Sequence, residues 1–162
     1  MNENAPVDYM ERTRQYYRAL GYDSDYVWSH NDDVPFAPLS KPLAQSRLTL
    51  ITTASPKSVG NQKAADRNKT VWSGYMTAAP DELYTDDLAW DKASTHTKDR
   101  ECFLPVSAAD RLVRDGLVGE LAPRFHGVPT VYSQGETIET FAPEVRRRCQ
   151  ADGVDVAFLM PL

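Results

Sequence analysis

Near the carboxyl end of the chain a helical pattern runs to Gly153 and passes directly into the apolar run Val154 to Leu162, VDVAFLMPL. Helix, glycine and then an apolar strand is the signature of a parallel α/β unit, because a parallel strand is covered on both faces and so loses the polar alternation of a one-sided strand. Ligands of such sheets bind outside the carboxyl ends of the strands. Within these 162 residues nothing follows that end of the strand.

The rest of the chain is consistent with one α/β domain whose mostly parallel sheet is flanked by helices. Residues 8–20 predict an amphipathic helix with Met10, Thr13, Tyr17 and Leu20 on the packing face and Gly21 as its left-handed exit. Residues 21–42 hold Pro35, Pro38 and Pro42, which exclude a regular helix and favour an extended strap. We therefore divide the chain into a helix-and-strap region, 1–45, and an α/β domain, 46–162.

Arg47 to Thr53, RLTLITT, is rich in β-branched residues and reads as a central strand. The polar segment 54–70 that follows is a loop at a strand end, suited to binding or to plain solvent exposure. Short strands are predicted at 70–75 and 86–90. Residues 90–99 have the hydroxyl-rich composition of a functional loop and carry His96 and Asp99.

A helix is expected from Ser107, with Asp110 completing a Ser-x-x-Asp capping box and Gly116 ending it. A turn follows at Ala122-Pro123, then an edge strand near Val128 to Tyr132. The last helix is expected from about Thr140, with Pro143 in its first turn, before a buried strand 154–162.

Charge and composition exclude several classes. With a net charge of −5 and acids and bases interspersed, no basic face exists to grip a phosphate backbone, so nucleic acid is not an expected partner. The apolar runs are far shorter than the roughly 20 residues a bilayer span needs, and the first residues are polar, so no membrane role is expected and the cytoplasm is the expected location. Cys102 and Cys149 stand far apart without a Cys-x-x-Cys pairing and read as small buried thiols.

Candidate chemistry rests on a few side chains. His30, His96, Asp99 and His126 are the groups able to move a proton or orient a carboxylate near neutral pH, and Trp28, Asp32 and Asp33 form with His30 and Phe36 either a binding lip or a packed linker. Each histidine also suits a structural role. A small metal site would need His30, His96 and His126 to converge, and their spacing is not that of a zinc motif.

Several segments in order resemble one family. Tyr17-Arg-Ala-Leu-Gly-Tyr22, Val27-Trp-Ser-His-Asn-Asp-Asp-Val-Pro-Phe36 and Lys41-Pro-Leu-Ala-Gln-Ser-Arg47 leading into Leu48-Thr-Leu-Ile-Thr-Thr53 come first. Phe103-Leu-Pro105, Asp110-Arg-Leu112, Gly116-Leu-Val-Gly-Glu-Leu-Ala-Pro123 and Asp152-Gly-Val-Asp155 follow. Together they are similar to the front half of selenoprotein-B-type subunits of the glycine/sarcosine/betaine/D-proline reductase family.

That resemblance implies a Rossmann-like or flavodoxin-like half of a larger reductase subunit, acting in reductive cleavage of a C–N bond next to a carboxylate. In the family a selenocysteine or cysteine, two residues and a cysteine follow the segment resembling 152–162. Selenocysteine is therefore expected after Leu162, with no cofactor inside this chain, and neither Cys102 nor Cys149 inherits the redox role. Because selenocysteine is encoded by a stop codon, an unrecoded reading frame would end at this strand. An unfinished parallel sheet exposes an edge and apolar surface, so a second copy of the chain is an expected partner; the resemblance adds another reductase subunit and a small-molecule substrate. A non-catalytic assembly subunit is the alternative, and a small metal- or ligand-binding protein the second.

Overall fold

The computed structural model describes residues 7–25, 27, 30–34, 36–58, 70–85, 93, 97–131 and 133–161. The chain divides into two compact units, Met1–Phe36 and Ala37–Leu162.

In the first unit, helix α1 spans Tyr9–Ala19, and the Asp8 carboxylate caps it by accepting from the Glu11 N–H at 3.0 Å. Gly21 ends it at φ 88°, a conformation that costs glycine little. The expected packing face is not buried: no residue of α1 is, and Met10, Tyr17 and Leu20 are exposed. The aromatic rings pack on one another instead, Tyr17 lying edge-on to Tyr16 at 5.7 Å and to Tyr22 at 5.4 Å. Arg18 forms a two-pronged pair with Asp25 across the helix exit.

The second unit is an α/β fold around a mixed five-stranded sheet. Strand β1, Arg47–Thr52, is buried along nearly its whole length, as a strand with neighbours on both edges and cover on both faces must be. It pairs in parallel with β5, Val156–Met160, on one side, in register from Leu48↔Val156 to Thr52↔Met160. On its other side run β3, Glu120–Leu121, and β4, Arg124–Gly127, both also parallel to it. Strand β2, Trp72–Tyr75, pairs antiparallel with the outer edge of β4.

Alternate residues of these strands enter different layers. Leu48, Leu50, Phe125 and Met160 share one cluster with Phe103, Leu104 and Ala109, so this face is covered by helix α2, Val106–Arg114, and the turn before it. Ile51 joins Val71, Phe141 and Val145 on the opposite face, under helix α4, Ala142–Ala151. Burying each large apolar side chain of this kind contributes about 1.5–3 kcal/mol. Trp72 and Phe125 meet edge to face at 5.4 Å, and the backbone opposite leaves no room for a side chain: a Cβ on Gly127 would lie 1.8 Å from Trp72 Nε1.

Several expectations are corrected. Ala122-Pro123 does not reverse the chain. Ala122 donates its N–H to the Leu48 carbonyl and Pro123, which has no N–H to offer, uses its carbonyl to accept from Met76, so β3 and β4 follow β1 as one interrupted path. The strand expected at 128–132 lies earlier, at Arg124–Gly127, because ladder pairing with β1 and β2 decides its position.

Helix α2 does not use the Ser107 capping box. The Glu101 carboxylate accepts from the backbone N–H groups of Ser107 and Ala108, each at 3.1 Å, while Asp110 pairs with Arg114. Desolvation opposes ionisation, but those N–H groups together with Arg100 and the Ser107 side chain outweigh it and hold the Glu101 carboxyl below its usual range.

The last helix also begins earlier than Thr140. Ser133 caps α3, Gln134–Glu136, which continues through a π-turn, Thr137–Phe141, into α4. Pro143 stands just after the π-turn, where the wider ring accommodates a residue that cannot donate to the preceding turn. Finally, β5 is an edge rather than a buried strand: it pairs with β1 alone among the described residues, and Phe158 and Leu159 are 55% and 65% exposed.

Candidate functional site

The crossover from β4 through α3 and α4 to β5 returns the chain to a parallel strand, so the amino end of this helical segment lies at the carboxyl edge of β4 and β1. Just after β1, Ala54 joins the cluster covered by α2, whereas Val128 and Val131, just after β4, pack with the cluster under α4. In sheets of this kind ligands bind outside the carboxyl ends of the strands. A depression of about 590 Å³ lies between the residues just before β2 and the helical segment, walled by Thr70, Val71 and Phe141 and by the polar side of that segment, Glu136, Glu139, Glu144, Arg147 and Arg148.

Glu144 organises one end of it. Its carboxylate accepts from Arg147 Nε and an Arg147 terminal nitrogen at 2.8 Å each and from Arg148 Nε at 2.7 Å, and these bonds pull its carboxyl down to about 2. Arg148 then reaches inward and donates to Ser73 Oγ at 2.8 Å. Ser73 Oγ lies 2.8 Å from His126 Nδ1 on the neighbouring strand, since Ser73 and His126 are directly paired across β2 and β4.

The donor sense of this chain follows. Arg148 can only donate, so the Ser73 hydroxyl proton is free to go to His126 Nδ1, which leaves the imidazole proton on Nε2. His126 is fully buried, and its Nε2 has no hydrogen-bond partner among the described residues. Burial first, and then the positive charge of Arg124, lower its pKa to about 4, so the ring is neutral at pH 7. Arg124 is itself held by Asp152 through two bonds of 2.9 and 2.8 Å.

The other candidates are described separately. His30 belongs to the first unit, is exposed and pairs with Asp32 at 3.0 Å, while Asp33 is exposed beside them. Asp99 is exposed and accepts from the Glu101 N–H at 3.0 Å, in the turn leading to the α2 layer. Trp28 and His96 lie outside the described residues, as do the strand expected at 86–90 and most of the loops 54–70 and 90–99.

Among the described residues no group of three or more His, Cys, Asp or Glu is arranged to hold a metal, and no helix is long and apolar enough to cross a membrane. Cys102 is exposed, against expectation, because its short turn faces outward; Cys149 is partly buried, and burial raises its thiol pKa.

Comparison with protein-family models, with curated proteins and with solved structures finds no match.

Sequence reading missed Ser73, Glu144 and Arg148. Only the Glu144/Arg148 spacing of four, an ordinary helical ion pair, was visible as a signal.

Proposed function

We propose that this chain is the front part of a selenoprotein-B-type subunit of the glycine/sarcosine/betaine/D-proline reductase family, a cytoplasmic protein with a Rossmann-like or flavodoxin-like half-domain. Its task in that reading is to wall the substrate pocket and deliver the redox residue, which by resemblance follows Leu162. The C–N bond beside the substrate carboxylate is cleaved with two electrons from a dithiol, which leaves as a disulfide. By that resemblance neither Cys102 nor Cys149 stands at the redox position, so residues 1–162 alone are expected to be inactive.

The observation that supports this reading is the register of β5 with β1. Met160 is level with Thr52, so whatever follows Leu162 leaves from the carboxyl edge, beside the strand ends of β1 and β4. A low-pKa thiol or selenol is the nucleophile such a step needs.

The gene beyond codon 162 tests it. An in-frame UGA followed within three codons by a cysteine codon is expected, and unrelated sequence there removes the reading. Turnover of glycine, sarcosine, betaine or D-proline by the purified 162-residue chain with dithiol as sole reductant removes it equally.

A second reading, an assembly subunit, is favoured by one feature. The edge strand β5 has exposed Phe158 and Leu159 and no charge between Asp155 and its end, so it lacks the usual protection against pairing with another strand.

A further inference from the structure

The groove along α3, the π-turn and α4 has its charges sorted by position. Its helical wall is one stripe, Glu136, Glu139, Thr140, Pro143, Glu144, Arg147 and Arg148, at the three- and four-residue spacing of a single helix face. The carboxylates of Glu136 and Glu139 have no ion pair or hydrogen bond among the described residues, although like charges three apart repel. At the other end two guanidinium groups share one carboxylate, Glu144, and Arg147 is 67% exposed. The groove is thus negative at one end and has an excess positive charge at the other.

Length decides what fits. Glu139 and Arg147 are eight residues apart in sequence, about 12 Å along a helix at 1.5 Å per residue. The ammonium and carboxylate of a single α-amino acid are much too close together to reach both. In an extended peptide, side chains three to four residues apart are separated by about 10–13 Å. The volume of about 590 Å³ is in the range of sites that enclose ligands larger than one amino acid. The π-turn, a rare element frequent at functional sites, forms the acidic end of the wall.

We propose that this groove binds a short extended peptide segment of a partner protein, one that carries a basic side chain three to four residues from an acidic one. The basic group sits between Glu136 and Glu139 and the acidic group on Arg147. The two ends fix spacing, and the wall facing the helical stripe is formed at Thr70, with Val71 and Phe141 buried behind it.

The test is independent of reductase activity and uses the full chain. Fluorescence anisotropy would be measured with labelled, end-capped Lys-Ala-Ala-Glu and Glu-Ala-Ala-Lys peptides, and with Lys-Glu-Ala-Ala and Lys-Ala-Ala-Ala as controls. Saturable binding is expected for at least one of the spaced peptides, with both controls at least fivefold weaker. Glu139→Gln and Arg147→Gln should each weaken binding about tenfold while circular dichroism shows the fold retained. No saturation at millimolar peptide, equal affinity for the controls, or affinity unchanged in both variants would overturn the proposal. The last outcome would leave the charge pattern as a helix-stabilising feature only.

Discussion

His126 illustrates how one residue's surroundings set its chemistry. Unfolded, an imidazole takes up a proton near pH 6.5, whereas in the folded chain burial delays this to about 4. Between those values the unfolded chain binds the extra proton, so stability falls as pH falls from about 6.5 to about 4 and levels below that. The clean part of the window is above pH 5, where carboxylates are still ionised in both states. There we expect a loss of about 2 kcal/mol between pH 7 and 5 by urea unfolding. His126→Gln, which cannot titrate, should flatten that slope, and an unchanged slope would show that another group is responsible. Ser73→Ala is expected to cost about 1–3 kcal/mol, because it removes the one partner of His126 Nδ1 among the described residues and a partner of the Arg148 guanidinium. If the same unfolding measurement gave less than about 0.5 kcal/mol, the chain from Arg148 to His126 would not be a working link.

Elements whose signals are local were legible in the sequence. The β-branched run at Arg47 gives β1, and Gly21, Gly116 and Gly153 stop their helices with φ of 88°, 72° and 65°, as exit glycines should. The elements that sequence misread are set by distant partners. Arg124–Gly127 has one apolar anchor, Phe125, and becomes a strand because it is paired with β1 and with β2, far away in sequence. The start of the last helical segment was hidden by Gly135, Thr137 and Thr140, poor helix formers that a π-turn and tertiary packing accommodate. The site was less legible still, since Ser73 and His126 lie 53 residues apart and nothing in either neighbourhood announces the other. The cap of α2 offers a sharp test at this scale. Glu101→Ala should cost about 0.5–2 kcal/mol and reduce helicity by circular dichroism. Ser107→Ala, the residue that the local pattern nominates as cap, should change stability by less than about 0.5 kcal/mol. The opposite order would restore the local capping box.

At the scale of the α/β unit, the two edges of β1's neighbourhood are treated differently. Its amino end is locked by charge: Arg47 bonds Glu120 and the Asp152 carbonyl, and Asp155 takes both Lys41 and the Arg47 N–H. Among the described residues the outer edge of β5 has no such guard. Unpaired N–H and C=O groups on an uncharged strand template pairing with another strand, and exposed Phe158 and Leu159 add apolar area that water disfavours. Antiparallel pairing of two β5 strands about a twofold axis would be self-complementary, with Phe158 opposite its own copy at the axis and Leu159 opposite Ala157. The purified chain should therefore run as a dimer in light scattering at micromolar concentration. Phe158→Lys puts like charges face to face across that axis, a destabilising arrangement in a strand pair, and should raise the dissociation constant at least tenfold. Because Phe158 is more than half exposed within the chain, the same substitution should leave monomer stability within about 0.5 kcal/mol. A monomer before the substitution, or a dimer that survives it, would mean that this edge is covered by something other than a second copy.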